Sequence, residues 1–224
     1  LENVLYFDGG GIRWKAPSSS SGVGRWTVNS GQIWNIGAGG AMIDVMNKQS
    51  CKIYFQPGAN DLITGAGTIT KMGFGPLTIE NQNTGFHGDW VLVEGLLEVR
   101  GSAALGDGTN EITVYGGEVA NAGGSAATIT NNITMNGGAL SAQSNDGAEF
   151  SGAITFNDSS AIRLGDWWQN ARRNIRLTGL LSGDGAISVQ KGSHGSGVYI
   201  NRGDVYATNN TGILFLENPT NTVS

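Results

Sequence analysis

The stretch LITGAGTIT, residues 62–70, sets Gly65 and Gly67 at the G-x-G spacing that lets a backbone close around a phosphate. A dinucleotide loop needs a third glycine three residues on and then the N-terminus of a helix. Thr70 stands where that glycine belongs, and Thr68, Ile69 and Thr70 form an alternating, mostly β-branched run that suits a strand. Gly65 and Gly67 therefore read as structural turn residues, at corners where a side chain would clash. The same spacing returns at Gly183 and Gly185 in LLSGDGAIS, residues 180–188.

Other residue types capable of chemistry are present but scattered. His87 and His194 sit in the polar loops GFHGD and GSHGS, without a second histidine at a metal-ligand spacing. Asp44, Asp107, Glu111, Asp146, Glu149, Asp158, Asp166 and Asp184 occur singly beside turn residues, with no D-D or D-x-D cluster. Such residues suit Asx turns. A glycan-cleaving enzyme instead needs two carboxylates brought together, or an acid-bound calcium with a basic residue. In this chain the acids would have to converge from successive coils, with Arg163 or Arg176 beside them. No nucleophile elbow is present, and the single Cys51 in CKIYF reads as a small buried filler. No catalytic residue, metal ligand or cofactor is assigned.

Two surface motifs invite a binding reading. DWWQNARR, residues 166–173, brings Trp167 and Trp168 close to Arg172 and Arg173, a set that would stack a sugar or anchor a protein partner. The competing reading sends one tryptophan inward and lays an arginine over the other. The triplet Arg202, Gly203 and Asp204 is explained by the turn that the chain needs there.

The elements that must position these residues are short strands. Apolar groups of three to six residues recur as VLYF, QIWNI, AMIDV, CKIYF, LLEV, EITVY, AITF and AISV, with Gly, Asn, Asp or Ser in nearly every gap. Gly is 37 of 224 residues and Pro only 4, which marks a turn-dense, all-β chain. The hydrophobic fraction of 39% comes in these alternating groups and can line a core. A net charge of -5 provides no basic stripe for nucleic acid. No apolar run reaches the length of a membrane span, and no signal peptide is visible. The chain starts at Leu1, which reads as a processed or excised fragment. Hairpin sandwiches and β-solenoids both use many short strands. The irregular corners and the ungapped match of residues 62–70 with 180–188 favour the solenoid.

Residues 62–108 run through Gly65, Gly67 and Ile69, then Lys71 and Gly73, a strand from Leu77 to Asn83 with Thr84, Gly88, a strand from Gly95 to Val99, and a close at Ala104, Leu105 and Gly106. This order resembles the autotransporter-associated β-strand repeat of bacterial surface proteins. The opening LYFDGGGIRW is similar to the W-D-G start of such passengers, with Phe7 in place of the Trp. The second copy departs from the pattern, because its basic residue and glycine come only as Lys191 and Gly192.

The resemblance implies a right-handed, single-stranded parallel β-helix, secreted to the bacterial cell surface or beyond. It divides the chain into N-terminal coils at 1–60, a first repeat unit at 61–179 and a truncated second unit at 180–224. About ten coils of roughly 22 residues would make a rod near 50 Å long. The expected function is non-catalytic: a stalk, an adhesin passenger or a filament subunit. Expected partners are further copies stacked end to end, a glycan or a host surface. A glycan-degrading enzyme and a carbohydrate- or host-binding module remain the alternatives.

Overall fold

The computed structural model describes residues 3–15, 24–46, 51–123, 127–143, 148–164, 175–191 and 205–207. These residues contain strands and no helix, and every strand pairing is parallel. The chain coils through three faces in a fixed order.

The first sheet stacks eight strands: Gly10–Trp14, Ala41–Val45, Ile69–Met72, Trp90–Leu92, Glu111–Val114, Asn132–Met135, Ile154–Phe156 and Leu181–Gly183. The second sheet also has eight: Gly24–Val28, Cys51–Phe55, Pro76–Ile79, Leu96–Val99, Glu118–Asn121, Ala139–Ala142, Ser160–Leu164 and Ile187–Lys191. The third face is divided between Asn3–Phe7, Gln32–Ile36 and Ile63–Gly65 at one end and Thr128–Ile129, Ala148–Phe150, Ile175–Leu177 and Val205–Ala207 at the other. Each coil passes from third face to first sheet to second sheet, so strands adjacent in sequence lie on different faces. This is a parallel β-solenoid.

Alternation explains the register. In the first sheet Ile69, Trp90, Ile112, Ile133 and Ile154 stack on one another and point inward, and all are buried. Leu77, Leu97, Val119, Leu140 and Ile162 form the matching inward column of the second sheet. Each such side chain contributes about 1.5–3 kcal/mol on burial. A slip of one residue would turn a whole column to solvent, which holds the strands in register.

Coil length is not uniform. Paired residues between Ile69 and Ile154 are 21 or 22 apart, close to the expected period. Gly10 pairs with Ala41 and Ile154 with Leu181, so the coils at either end are longer. Among the described residues the two long sheets therefore stop at eight levels, about 34 Å of rod at the usual strand spacing. The 50 Å expectation assumed one short coil throughout.

The gap in the third face has its own structure. Between Val99 and Glu111 the chain makes turns instead of a strand, with Ala103 at φ 52° and Gly106 at φ 120°. Ala104 and Leu105 are buried there, and Trp90 Nε1 donates to the Leu105 carbonyl at 2.9 Å. The large indole of Trp90 packs edge-on to Phe86 and fills the interior at this level.

Candidate functional site

The corner glycines are packed against backbone. Gly65 has φ 98° and Gly183 φ 96°, in the left-handed region that other residues adopt with strain. A Cβ at Gly67 would lie 1.7 Å from the Gly37 carbonyl oxygen, and one at Gly185 would lie 2.4 Å from that of Asp158. No room for a side chain remains at either corner.

Lys71 is the most unusual residue of the repeat. It shares the inward side of its strand with Ile69 and is fully buried. Its Nζ donates to the carbonyls of Met72, Gly73 and Glu94 at 2.7, 2.6 and 3.1 Å. All three donors of the ammonium thus meet the turn between first and second sheets. Burial pushes the Lys71 pKa down to about 7, against the pull of Asp44 and Glu94. This lysine is a corner cap.

Buried asparagines cap the corners on the other side. Asn83 Oδ1 accepts from the Ile63 amide at 2.9 Å, and its Nδ2 donates to the Ala104 carbonyl at 2.7 Å. Asn81 Nδ2 donates to the same Asn83 Oδ1. Asn110 Nδ2 donates to Gly88, and Asn131 Nδ2 to the Asn110 carbonyl one coil earlier. Asn121 Nδ2 donates to Ala127. These side chains satisfy main-chain groups that leave the ladder where the chain turns.

The chemistry-bearing surface is the outer side of the second sheet. Register aligns Tyr54, Thr78 and Glu98 in one column across three coils. Glu98 accepts from Lys52 at 3.2 Å, from Thr78 at 2.5 Å and from Arg100 through Nε and a terminal nitrogen at 2.9 and 2.5 Å. Burial alone would push the Glu98 carboxyl up, but Lys52, Arg100 and the Thr78 hydroxyl overrule it and hold the carboxyl below its ordinary range. Lys52 moves down, chiefly from burial, with Glu98 opposing. Tyr54 donates to Glu80 beneath the Arg25 guanidinium, 3.8 Å from the ring centre. Burial and the Glu80 carboxylate push the Tyr54 phenol up to about 12. Further along, Glu118 accepts from Ser141, Gln143 and Arg163.

This arrangement is poor for catalysis. A general base at neutral pH needs a pKa near 7 and a free lone pair aimed at substrate. Tyr54 keeps its proton, while Glu80, Glu98 and Glu118 are each engaged by groups of their own surface. Of the arginines expected beside converging acids, Arg163 pairs with Glu118 and Arg176 with Glu149. His87 Nδ1 faces Asp107 at 3.2 Å on an exposed edge. Asp107 is also held by Thr109, and hydrogen bonds from Thr109 keep its carboxyl below the ordinary range. Among the described residues no group of three His, Cys, Asp or Glu could hold a metal ion.

Trp167, Trp168, Arg172 and Arg173 lie outside the described residues, as do Asp146, Asp166, His194 and the Arg202, Gly203, Asp204 triplet. The Lys52, Tyr54 and Glu98 cluster escaped the sequence reading. Its members are up to 46 residues apart, and only the strand register brings them together.

Fold and surface define a parallel β-solenoid whose buried polar side chains hold its own corners. Over 68 residues, 30% of its length, the chain is 40% identical to a protein described as Adhesin BmaC autotransporter, from Brucella suis biovar 1 (strain 1330). The chain spans 2% of that protein. No family model and no solved structure matches.

Proposed function

We propose that the chain is a non-catalytic stretch of the passenger of a bacterial autotransporter adhesin, exposed on the cell surface, where it serves as a stiff rod carrying adhesive loops. The observation that carries this reading is the 40% identity over 68 residues to an autotransporter adhesin, on a solenoid scaffold. The mechanism is mechanical: parallel ladders run along the rod axis, inward columns stack, and corner caps leave few main-chain groups free to yield. The open strand edges at the ends of a solenoid suit continuation by further coils or by another copy of the chain.

The test coats purified chain onto beads, offers them to epithelial cells and matrix glycoproteins, and incubates the same chain with anionic polysaccharides. Retention without shortening of any polysaccharide supports the adhesive reading. Depolymerisation would replace it with the enzyme reading.

A further inference from the structure

The two copies of the glycine motif are built alike. Gly67 donates its amide to the Ile36 carbonyl at 3.2 Å, and Gly185 donates to the Phe156 carbonyl at 2.8 Å. In each copy the accepting residue is the ladder partner of the first glycine, Ile36 of Gly65 and Phe156 of Gly183. The local unit is therefore the same strand, corner and strand.

Their places on the rod differ. The first copy leaves the third face at Ile63–Gly65 and enters the first sheet at Ile69. The second leaves the first sheet at Leu181–Gly183 and enters the second sheet at Ile187. Five strands along the first sheet, the column of Ile69 is held by Leu181, while Ile187, the sequence equivalent of Ile69, already lies on the next face. Counting the Phe86 bridge and the turn at 102–109 as third-face positions, the motif advances sixteen steps, which is five circuits of three and one more. A corner glycine satisfies the same backbone geometry at any edge of the prism, so nothing in the motif ties it to one face.

We propose that this repeat winds round the rod as a screw, each copy one face further on, so that loops at equivalent repeat positions are presented on successive sides. The corner bearing the exposed Phe74 follows a strand of the first sheet, whereas the equivalent strand of the second copy, Ile187–Lys191, belongs to the second sheet. A regular series of copies returns to its starting face after three. Resting on the adhesive reading above, this makes the rod able to engage partners from all round instead of along one stripe.

Engineered disulfides test the geometry. Side-by-side positions on neighbouring coils are about 4.8 Å apart and fall within bridging range. In a Cys51→Ser background of the full chain, Ala66→Cys with His87→Cys follows the Gly65 and Phe86 pairing of the first copy and serves as the reference. Asn157→Cys with Asp184→Cys follows the Phe156 and Gly183 pairing and is expected to close as fully as the reference. Ser151→Cys with Asp184→Cys, the pair that would close if the second copy kept the first copy's edge, is separated by the width of a face. It should bridge at below about a tenth of the reference yield on a non-reducing gel. Closure of the Ser151 pair, or failure of the Asn157 pair while the reference closes, overturns the screw. Loss of adhesion with the cross-links unchanged would sink the functional reading and leave the screw standing.

Discussion

The buried ammonium of Lys71 donates to the main-chain oxygen of Glu94, 3.1 Å away on the following coil, and so ties two coils together at the turn between the first and second sheets. The tie is made to backbone, and burial makes the charge on Lys71 a cost, so stability depends on pH and not on which residue supplies the carbonyl. With a folded pKa of about 7 against an ordinary 10.5, the unfolded chain holds a proton that the folded chain releases between those values. Stability therefore rises as pH increases from 7 towards 10.5, by at most about 1.4 kcal/mol per pH unit. Melting temperatures taken across that range should climb in the native chain. Lys71→Met should flatten this segment and lower stability at pH 7 by about 1–3 kcal/mol, because it leaves three carbonyls without a donor. An unchanged slope in the variant would remove Lys71 from the explanation.

Glu98 works in the opposite pH range. Its folded carboxyl is held below the ordinary value by Lys52 and Arg100 despite burial, so its contribution is present above that value and is lost as pH falls through the folded one. Glu98→Gln should make the acid-unfolding limb shallower. It should also reduce stability at neutral pH by about 1–3 kcal/mol, since Lys52 and Arg100 lose their charged acceptor. Acid titrations followed by far-ultraviolet circular dichroism, native beside variant, check both effects.

Asn83→Ala should cost about 1–3 kcal/mol for each main-chain group left unpaired, here the Ile63 amide and the Ala104 carbonyl. Urea unfolding measures the loss, and an exposed control such as Asn157→Ala should change little. Equal effects at the two positions would deny the corner role of Asn83.

Gly67→Ala forces a Cβ onto the Gly37 oxygen and should destabilise the fold by about 3 kcal/mol or more. Gly10→Ala meets nothing within 4 Å and should be tolerated. The pair of melting curves separates a packing requirement from a general cost of losing glycine.

Much of the fold is legible in the chain because a solenoid is written locally. Ile69 alternates with Thr70, Leu97 with Glu98, and glycines or asparagines bound each run, so strands and corners follow from neighbours alone. Lys71 illustrates the limit. Alternation from Ile69 points it inward, while its charge argues outward, and the carbonyls that settle the matter come partly from Glu94 on another coil. The turns around Ala103 that interrupt the third face are marked in the sequence only by the close at Ala104, Leu105 and Gly106, while the hydrogen bond that Trp90 makes to the Leu105 carbonyl follows from the fold alone. The outer cluster around Glu98 depends wholly on register between distant strands and was invisible for that reason.

Whether the chain acts as an adhesive rod without cleavage is read by displaying it on the surface of a bacterium that does not adhere. The count is of cells retained on an epithelial layer, with the Gly67→Ala chain displayed at equal density beside it. Retention should stand well above the undisplayed strain for the native chain and fall towards background for the variant, whose stacking at Gly67 is destabilised. Background retention for the native chain, together with shortened surface polysaccharide on the epithelial layer, would contradict the adhesive reading.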